Sequence, residues 1–420
     1  MKKIMFLFSL AVLTLTSCES VVKETVTYKI NEPIFMATET FRNSVKVTSE
    51  HHAITNIGKM CFYNDYLYIS EPEKGIHIID NHNPSTPQIV GFIQLLGNAD
   101  IAIRNNKLYA DSYIDLVWFD VTNPALPELK GRLDSIFPTA LPATQNQYGI
   151  DYAKSYPGKN NGVIIGWELK ERTENVSHYT GGWYGGGMID DVANSGTKNG
   201  NSTGYNGSMS RFSIYNDYLY SVINNYMNIF DLSSDKPTKA GPGLYIGRNV
   251  ETIFNYKDNM FMGTPSGMLI YSVKDPLKPE YQSSLTHAYG CDPVVVENDL
   301  AYVTVHSGNL CGQNTNELFI VDVSNVRSPK QLVSYTMTSP KGLGIDNGKL
   351  FVCDDGLKIY NNSNPQTLMS NQLAHFKNLT GYDIIAHNNI AMMIAEDGIY
   401  QYDYSDLNNI KLLSKLPIGK

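Results

Sequence analysis

The chain is 420 residues long, 42% hydrophobic and 11% aromatic, so it can bury a large core and shows no bias toward disorder or collagen. Its formal charge is −8, and no basic run of the length a phosphate backbone demands is present. A nucleic-acid surface, which replaces counterions with clustered Lys and Arg, is thereby excluded.

The chain starts with Lys2 and Lys3, then an apolar core over residues 4–14 (IMFLFSLAVLT), then Leu-Thr-Ser-Cys ending at Cys18. The layout is that of a secretory leader, too short for a membrane span, and no other window of eighteen apolar residues follows. Leu-Thr-Ser-Cys resembles the lipobox of bacterial lipoproteins. That resemblance implies a signal peptide over 1–17, lipidation of Cys18, a tether over 18–33, and anchorage of the exported protein, with the outer membrane as the expected address. An ordinary signal peptide with an incidental cysteine is the alternative.

From about residue 58 a three-part unit recurs at a period of about forty residues. A polar turn runs into a strand in NDYLY (64–68), NNKLY (105–109), NDYLY (216–220), DNMF (258–261), NDLAY (298–302), NGKLF (347–351) and NNIAM (388–392). Asn, Asp and Gly there suit hairpin turns because they tolerate positive φ. An alternating strand follows, closing at Asp80, Asp120, Asp231, Ser272, Asp322, Asn361 and Asp403, and a Pro-rich turn such as NPALP (123–127) leads to an outer strand. Four and two places before each closing residue stand apolar side chains, as in Leu116/Trp118 and Leu318/Ile320, with Gln401 as the single exception. The residue just before the closing one is apolar or aromatic too, from Ile79 and Phe119 to Tyr402, so both faces of this strand are wanted inside. The closing Asp or Asn is expected to accept backbone N–H groups in an Asx turn, a structural role rather than a metal site.

A unit of this size cannot bury its own apolar face and must stack on its neighbours. The expected fold is therefore all-β: a seven-bladed β-propeller of four-stranded antiparallel blades over 34–420, six or eight blades being the alternatives. The segment 34–47 is a candidate for a strand that closes the ring.

The units resemble the LVIVD repeat; Leu318-Phe319-Ile320-Val321-Asp322 follows its consensus with one substitution. The resemblance covers roughly residues 58–416. It implies a propeller fold and a surface or secreted bacterial protein, including lipoproteins of Bacteroidetes type. It brings no catalytic motif and no cofactor.

An insertion at about 139–210 separates the second and third units. It holds a strand-like run, Gly162-Val163-Ile164-Ile165-Gly166-Trp167, then GGWYGGG (181–187) and a Gly/Asn/Ser-rich tract. Long loops in compact domains are usually functional or disordered. Trp167 and Trp183 amid glycines suit stacking on a sugar or on a partner's apolar patch, or simply pin the loop to the propeller.

Cys291 and Cys311 lie in one unit and form a plausible disulfide in an exported protein, whereas Cys61 and Cys353 read as small buried hydrophobes. The one constellation that could carry binding is a ring at the mouths of the innermost strands. Lys59, Asp100, Arg211 and Asp292 occupy equivalent places, a one-residue slip adds Glu251 and Asp383, and His287 can join the rim. Such a ring is a polar funnel or, equally, a set of ion pairs plugging the channel. No H-E-x-x-H, P-loop or Rossmann fingerprint occurs, and no metal or cofactor site is expected. The leading expectation is a non-catalytic envelope lipoprotein that binds a glycan or protein through the channel mouth and insertion loop. The alternatives are a carbohydrate-active enzyme using channel carboxylates and a structural subunit of an envelope complex.

Overall fold

Alternating apolar strands joined by two-residue turns leave little choice but antiparallel sheets. A computed structural model of the protein describes residues 21–50, 52–145, 147–155, 162–179, 205–223, 225–247, 250–286, 293–306 and 315–419. It contains eight sheets. Seven are blades built from four strands consecutive in the chain: blade 1 over 60–94, blade 2 over 101–133, blade 3 over 212–245, blade 4 over 252–286, blade 5 over 294–336, blade 6 over 343–376 and blade 7 over 381–417. The first turn of each blade uses left-handed residues, such as Asn64 and Asp65 or Asn105 and Asn106. The third strands are buried on both faces, as Gly75–Asp80, Asp115–Asp120 and Gly398–Asp403 illustrate.

The closing residues make the expected turns. Asp80, Asp120, Asp231, Asp322, Asn361 and Asp403 each accept the backbone N–H two residues on, at 2.8–3.0 Å. The carboxylates so used are held below their ordinary range by these bonds; in Asp120 and Asp231 they outweigh a small desolvation penalty.

The ring is closed. Seven clusters of buried side chains lie one at each seam, and one of them joins Met60, Leu67, Ile69 and Ile79 of blade 1 to Ile385, Met392, Ile394 and Ile399 of blade 7. Each such aliphatic side chain, fully buried, contributes roughly 1.5–3 kcal/mol. The seam between blades 7 and 1 is also tied by Gly419 N–H to Ile54 O at 2.8 Å and by Ser414 Oγ to Pro84 O at 2.6 Å.

The eighth sheet lies outside the ring. Val21–Ala37 pairs along its length with Gly162–Tyr179 and, at Ile30 and Asn31, with Gly149–Ile150. Residues 21–33, read above as tether, are thus strand, since VTYKI has the period-two pattern and the insertion supplies a partner. The segment 34–47 does not close the ring. Its first part belongs to this ribbon, a short helix, Thr38–Arg42, follows, and Lys46–Thr48 adds an outer strand to blade 1. The ribbon is fastened to blade 2 at Asp115, fully buried, which takes both Arg42 (Nε, 2.9 Å) and Arg132 (Nη1, 2.9 Å) and the N–H of Ser135 at 2.6 Å. No helix among the described residues is long and apolar enough to cross a membrane.

Candidate functional site

First strands of neighbouring blades touch one another around the axis, so their starts gather at one end of the channel. The ribbon, the insertion and the longer connections open on that same end, here the loop face; tight Asn/Asp turns and Asn-Pro turns fill the opposite one, the turn face.

The insertion returns to the propeller through the channel mouth. Tyr205–Asn206 pairs with Phe62 and Cys61 on the inner edge of blade 1. Ser208 then donates its N–H (2.8 Å) and Oγ–H (3.0 Å) to Asp383 Oδ1 of blade 7, while its Oγ accepts the N–H of Leu343 in blade 6 at 2.7 Å. Ser210 Oγ–H donates to Asp100 Oδ1 of blade 2, and the Ser210 carbonyl accepts Ile253 N–H of blade 4 at 2.9 Å. The N–H of Arg211 reaches Asp100 Oδ2 at 2.7 Å. A seven-residue segment bonded to five blades must lie across the axis. Gly207 sits where a Cβ would overlap the Asp383 carboxylate, so only glycine passes.

Asp100 and Asp383 are almost wholly buried and use the same device. Each carboxylate caps the N–H of its own successor, Ile101 at 2.9 Å and Ile384 at 3.0 Å, and takes N–H groups of the return segment besides. The structure therefore brings Asp100, Arg211 and Asp383 together through residues 208–211. Lys59 and Arg211 contribute main-chain carbonyls to the ends of their blades, accepting Ser70 N–H (2.7 Å) and Val222 N–H (3.0 Å); Glu251, also buried, donates its N–H to Gly263 O at 2.9 Å. Trp167 is half-buried, its indole N–H bonded to Pro142 O at 3.0 Å, where it pins the insertion to the ribbon. His287, Asp292, Trp183, Cys18 and the Cys291–Cys311 pair lie outside the described residues. Cys61 and Cys353 are both buried, as expected of small hydrophobes.

Three features of this face were not singled out from the sequence. Beside Asp100, Asp111 Oδ1 accepts Ala99 N–H (2.7 Å), Asp100 N–H (2.9 Å) and Asn98 Nδ2 (3.1 Å). Burial, reinforced by Asp100, outweighs those bonds and pushes its carboxyl up to about 6. The signal was available, because Asp111 is the one charged residue among seven equivalents (Ser70, Val222, Gly263, Thr304, Cys353 and Ile394 are the others). In blade 1, fully buried Glu71 and His77 meet at 2.7 Å, with Lys74 at 2.8 Å and the Thr55 hydroxyl on the same carboxylate. Burial alone would raise Glu71, but these donors hold it at about 2, and burial lowers His77 against the opposing pull of Glu71. Finally, exposed aromatics stand on the loop face. Tyr226 and Tyr245 are 48% and 62% exposed, with ring centres 5.3 Å apart, and Lys341 Nζ lies 4.2 Å above the Tyr382 ring. Among the described residues no group of three or more His, Cys, Asp and Glu could hold a metal ion.

Comparison with known proteins follows the same lines. LVIVD repeats are found at 60–94, 97–135 and 292–337. No curated protein matches the chain. Among solved structures, Hsv2 of Kluyveromyces lactis is similar over 87% of this chain and all of its own (100%), at 9% identity and a TM-score of 0.49. The computationally designed protein Ika8 is similar over 88% of both chains, at 9% identity and a TM-score of 0.48. BamB of Moraxella catarrhalis is similar over 89% of both, at 9% identity and a TM-score of 0.42. Blades 1, 2 and 5 thus carry the recognised LVIVD repeats, and the ring they help to build is an all-β propeller scaffold.

Proposed function

We propose that this protein is an exported, lipid-anchored scaffold of the bacterial envelope, held through Cys18, that binds a glycan or protein partner on its loop face. The observation that carries the reading is that the ribbon, the return segment and the two ends of the insertion lie on one face of an otherwise regular ring. Exposed tyrosines cluster there, and such amphipathic rings supply contact area at interfaces. With the anchor at Cys18, the free part of the ribbon, 21–28 against 172–179, is a stalk of about 27 Å between bilayer and propeller. Asp100 and Asp383 spend their oxygens on the chain's own N–H groups, which favours binding over catalysis by these carboxylates.

The test has two arms. Palmitate labelling in a bacterial host, compared with Cys18→Ser, checks the anchor; the variant should lose both label and membrane association. Glycan-array and envelope pull-down experiments on the soluble 19–420 protein check the surface. A ligand recovered by the parent and lost with Tyr226→Ser/Tyr245→Ser supports the loop face, whereas capture that ignores both changes would falsify it.

A further inference from the structure

The repeat supplies its own control for what fills each seam on the turn face. At the end of the first strand, Tyr63, Tyr215 and Tyr256 reach across to the next blade's turn, their hydroxyls meeting Asn106, Asp258 and the N–H of Asp299. Arg104 crosses in the same way to Asn216 and Asp217. After the closing residue of the third strand comes a buried aliphatic in four blades: Val121, Leu232, Val273 and Val323.

The seam between blades 5 and 6 breaks both rules together. Glu297 stands where those seams place a tyrosine or arginine, and among the described residues its carboxylate takes the N–H of Gly348, at 2.9 Å. Asn362, 7% exposed, stands where the aliphatic belongs. A cavity of about 400 Å3 results, lined by these two with Tyr302, Lys349, Asn361 and Ser363, and walled by Leu300 and Leu407. Two other departures occur in the ring, but each is filled from within: Asn81 bonds Gln401, and Tyr404 bonds Asp346 at 2.8 Å.

We infer that this cavity is a binding site for a neutral polyhydroxylated ligand, a saccharide of one or two rings. Its size falls near the lower end of ligand pockets, about 300–1,000 Å3. Carboxamides and hydroxyls both donate and accept, which matches sugar hydroxyls that do the same. One carboxylate and one ammonium, Glu297 and Lys349, cancel, so nothing selects a net charge. Leu300 and Leu407 offer apolar wall for the C–H face of a ring. The site is on the opposite face from the one proposed above, and its failure would leave that reading untouched.

The experiment is saturation-transfer NMR and millimolar titration of the 19–420 protein with glucose, galactose, N-acetylglucosamine and maltose, with glutamate and phosphate as charged controls. At least one sugar should bind saturably and neither control should. Glu297→Tyr restores the filler that other seams carry, and Asn362→Val restores the aliphatic. Each should weaken sugar binding about tenfold or more, the equivalent of about 1.4 kcal/mol, without lowering the melting temperature. Leu126→Ser, at an exposed turn of blade 2, should leave it unchanged. The inference is overturned if no sugar binds, if the charged controls bind as well, or if a folded Glu297→Tyr or Asn362→Val protein binds sugar as the parent does.

Discussion

A glutamine fully buried between two sheets needs a partner at each end of its amide, and Gln401 finds both in Asn81. Asn81 Nδ2 donates to Gln401 Oε1 at 2.9 Å and Gln401 Nε2 returns a bond to Asn81 Oδ1 at 2.5 Å, across the seam of blades 7 and 1. Removing one partner strands the other, so Gln401→Leu and Asn81→Val should each cost about 1–3 kcal/mol in urea unfolding. The double variant should recover most of that in a double-mutant cycle, and purely additive losses would refute the pairing. In the sequence, Gln401 stood out as the one breach of an apolar position. Its partner could not be read, since the two are 320 residues apart and meet only once the ring closes. Asp111 supplies a pH signature at the same scale. Its carboxyl rises from 3.8 to about 6 on folding, chiefly by burial, so below the unfolded value both states are protonated and its contribution is intact. Between pH 4 and 6 the unfolded chain loses the proton first. Stability therefore falls as pH climbs through that window, by about 3 kcal/mol at most. Asp111→Asn keeps the acceptor and cannot ionise; its stability relative to the parent should rise from pH 4 to pH 7, and a pH-independent difference would contradict the shift.

Elements held by local rules were legible, and elements held by distant ones were not. Hairpin turns and Asx turns announce themselves because donor and acceptor lie two or three residues apart. The ribbon strand Val21–Ala37 has a readable alternation, yet its partner comes from the insertion, more than a hundred residues on. The return segment gives even less signal. Tyr205, Asn206, Gly207 and Ser208 look like the tail of a Gly/Asn/Ser loop, and only the meeting of five blades makes that stretch a plug. The ring positions Asp100, Arg211 and Asp383 were identifiable from repeat spacing; that the carboxylates of Asp100 and Asp383 would face the chain itself was not. Gly207→Val tests the plug directly. A side chain there must displace Asp383, a clash of the overpacking kind worth about 1–3 kcal/mol. The variant should melt several degrees lower and be cut sooner within residues 205–211 in limited proteolysis, while an unchanged melt and cleavage pattern would mean that the segment is not held in the mouth.

At the scale of the molecule, closure changes what a repeat protein does when it opens. An open array loses its end units first, because each has one neighbour. Here every blade has two, and the apolar face of any one of them is exposed only when a seam on either side parts. No blade is therefore cheap to release, and the seven inner strands should share one free energy of opening. The ribbon beyond Lys29 obeys the opposite logic. Its pairs from Val21 with Tyr179 to Tyr28 with Arg172 have no third strand beside them among the described residues, and a lone two-stranded sheet is marginal in water. Hydrogen exchange followed by mass spectrometry should separate the two. Amides of the first and second strands in all seven blades should exchange together, at the rate set by global unfolding, and amides of 21–28 and 172–179 should exchange orders of magnitude faster. Blade-by-blade differences that grade outward from one seam would show the ring opening there like a linear array, and protection of the free ribbon equal to that of the blades would show that it is not a lone stalk but one face of a larger assembly.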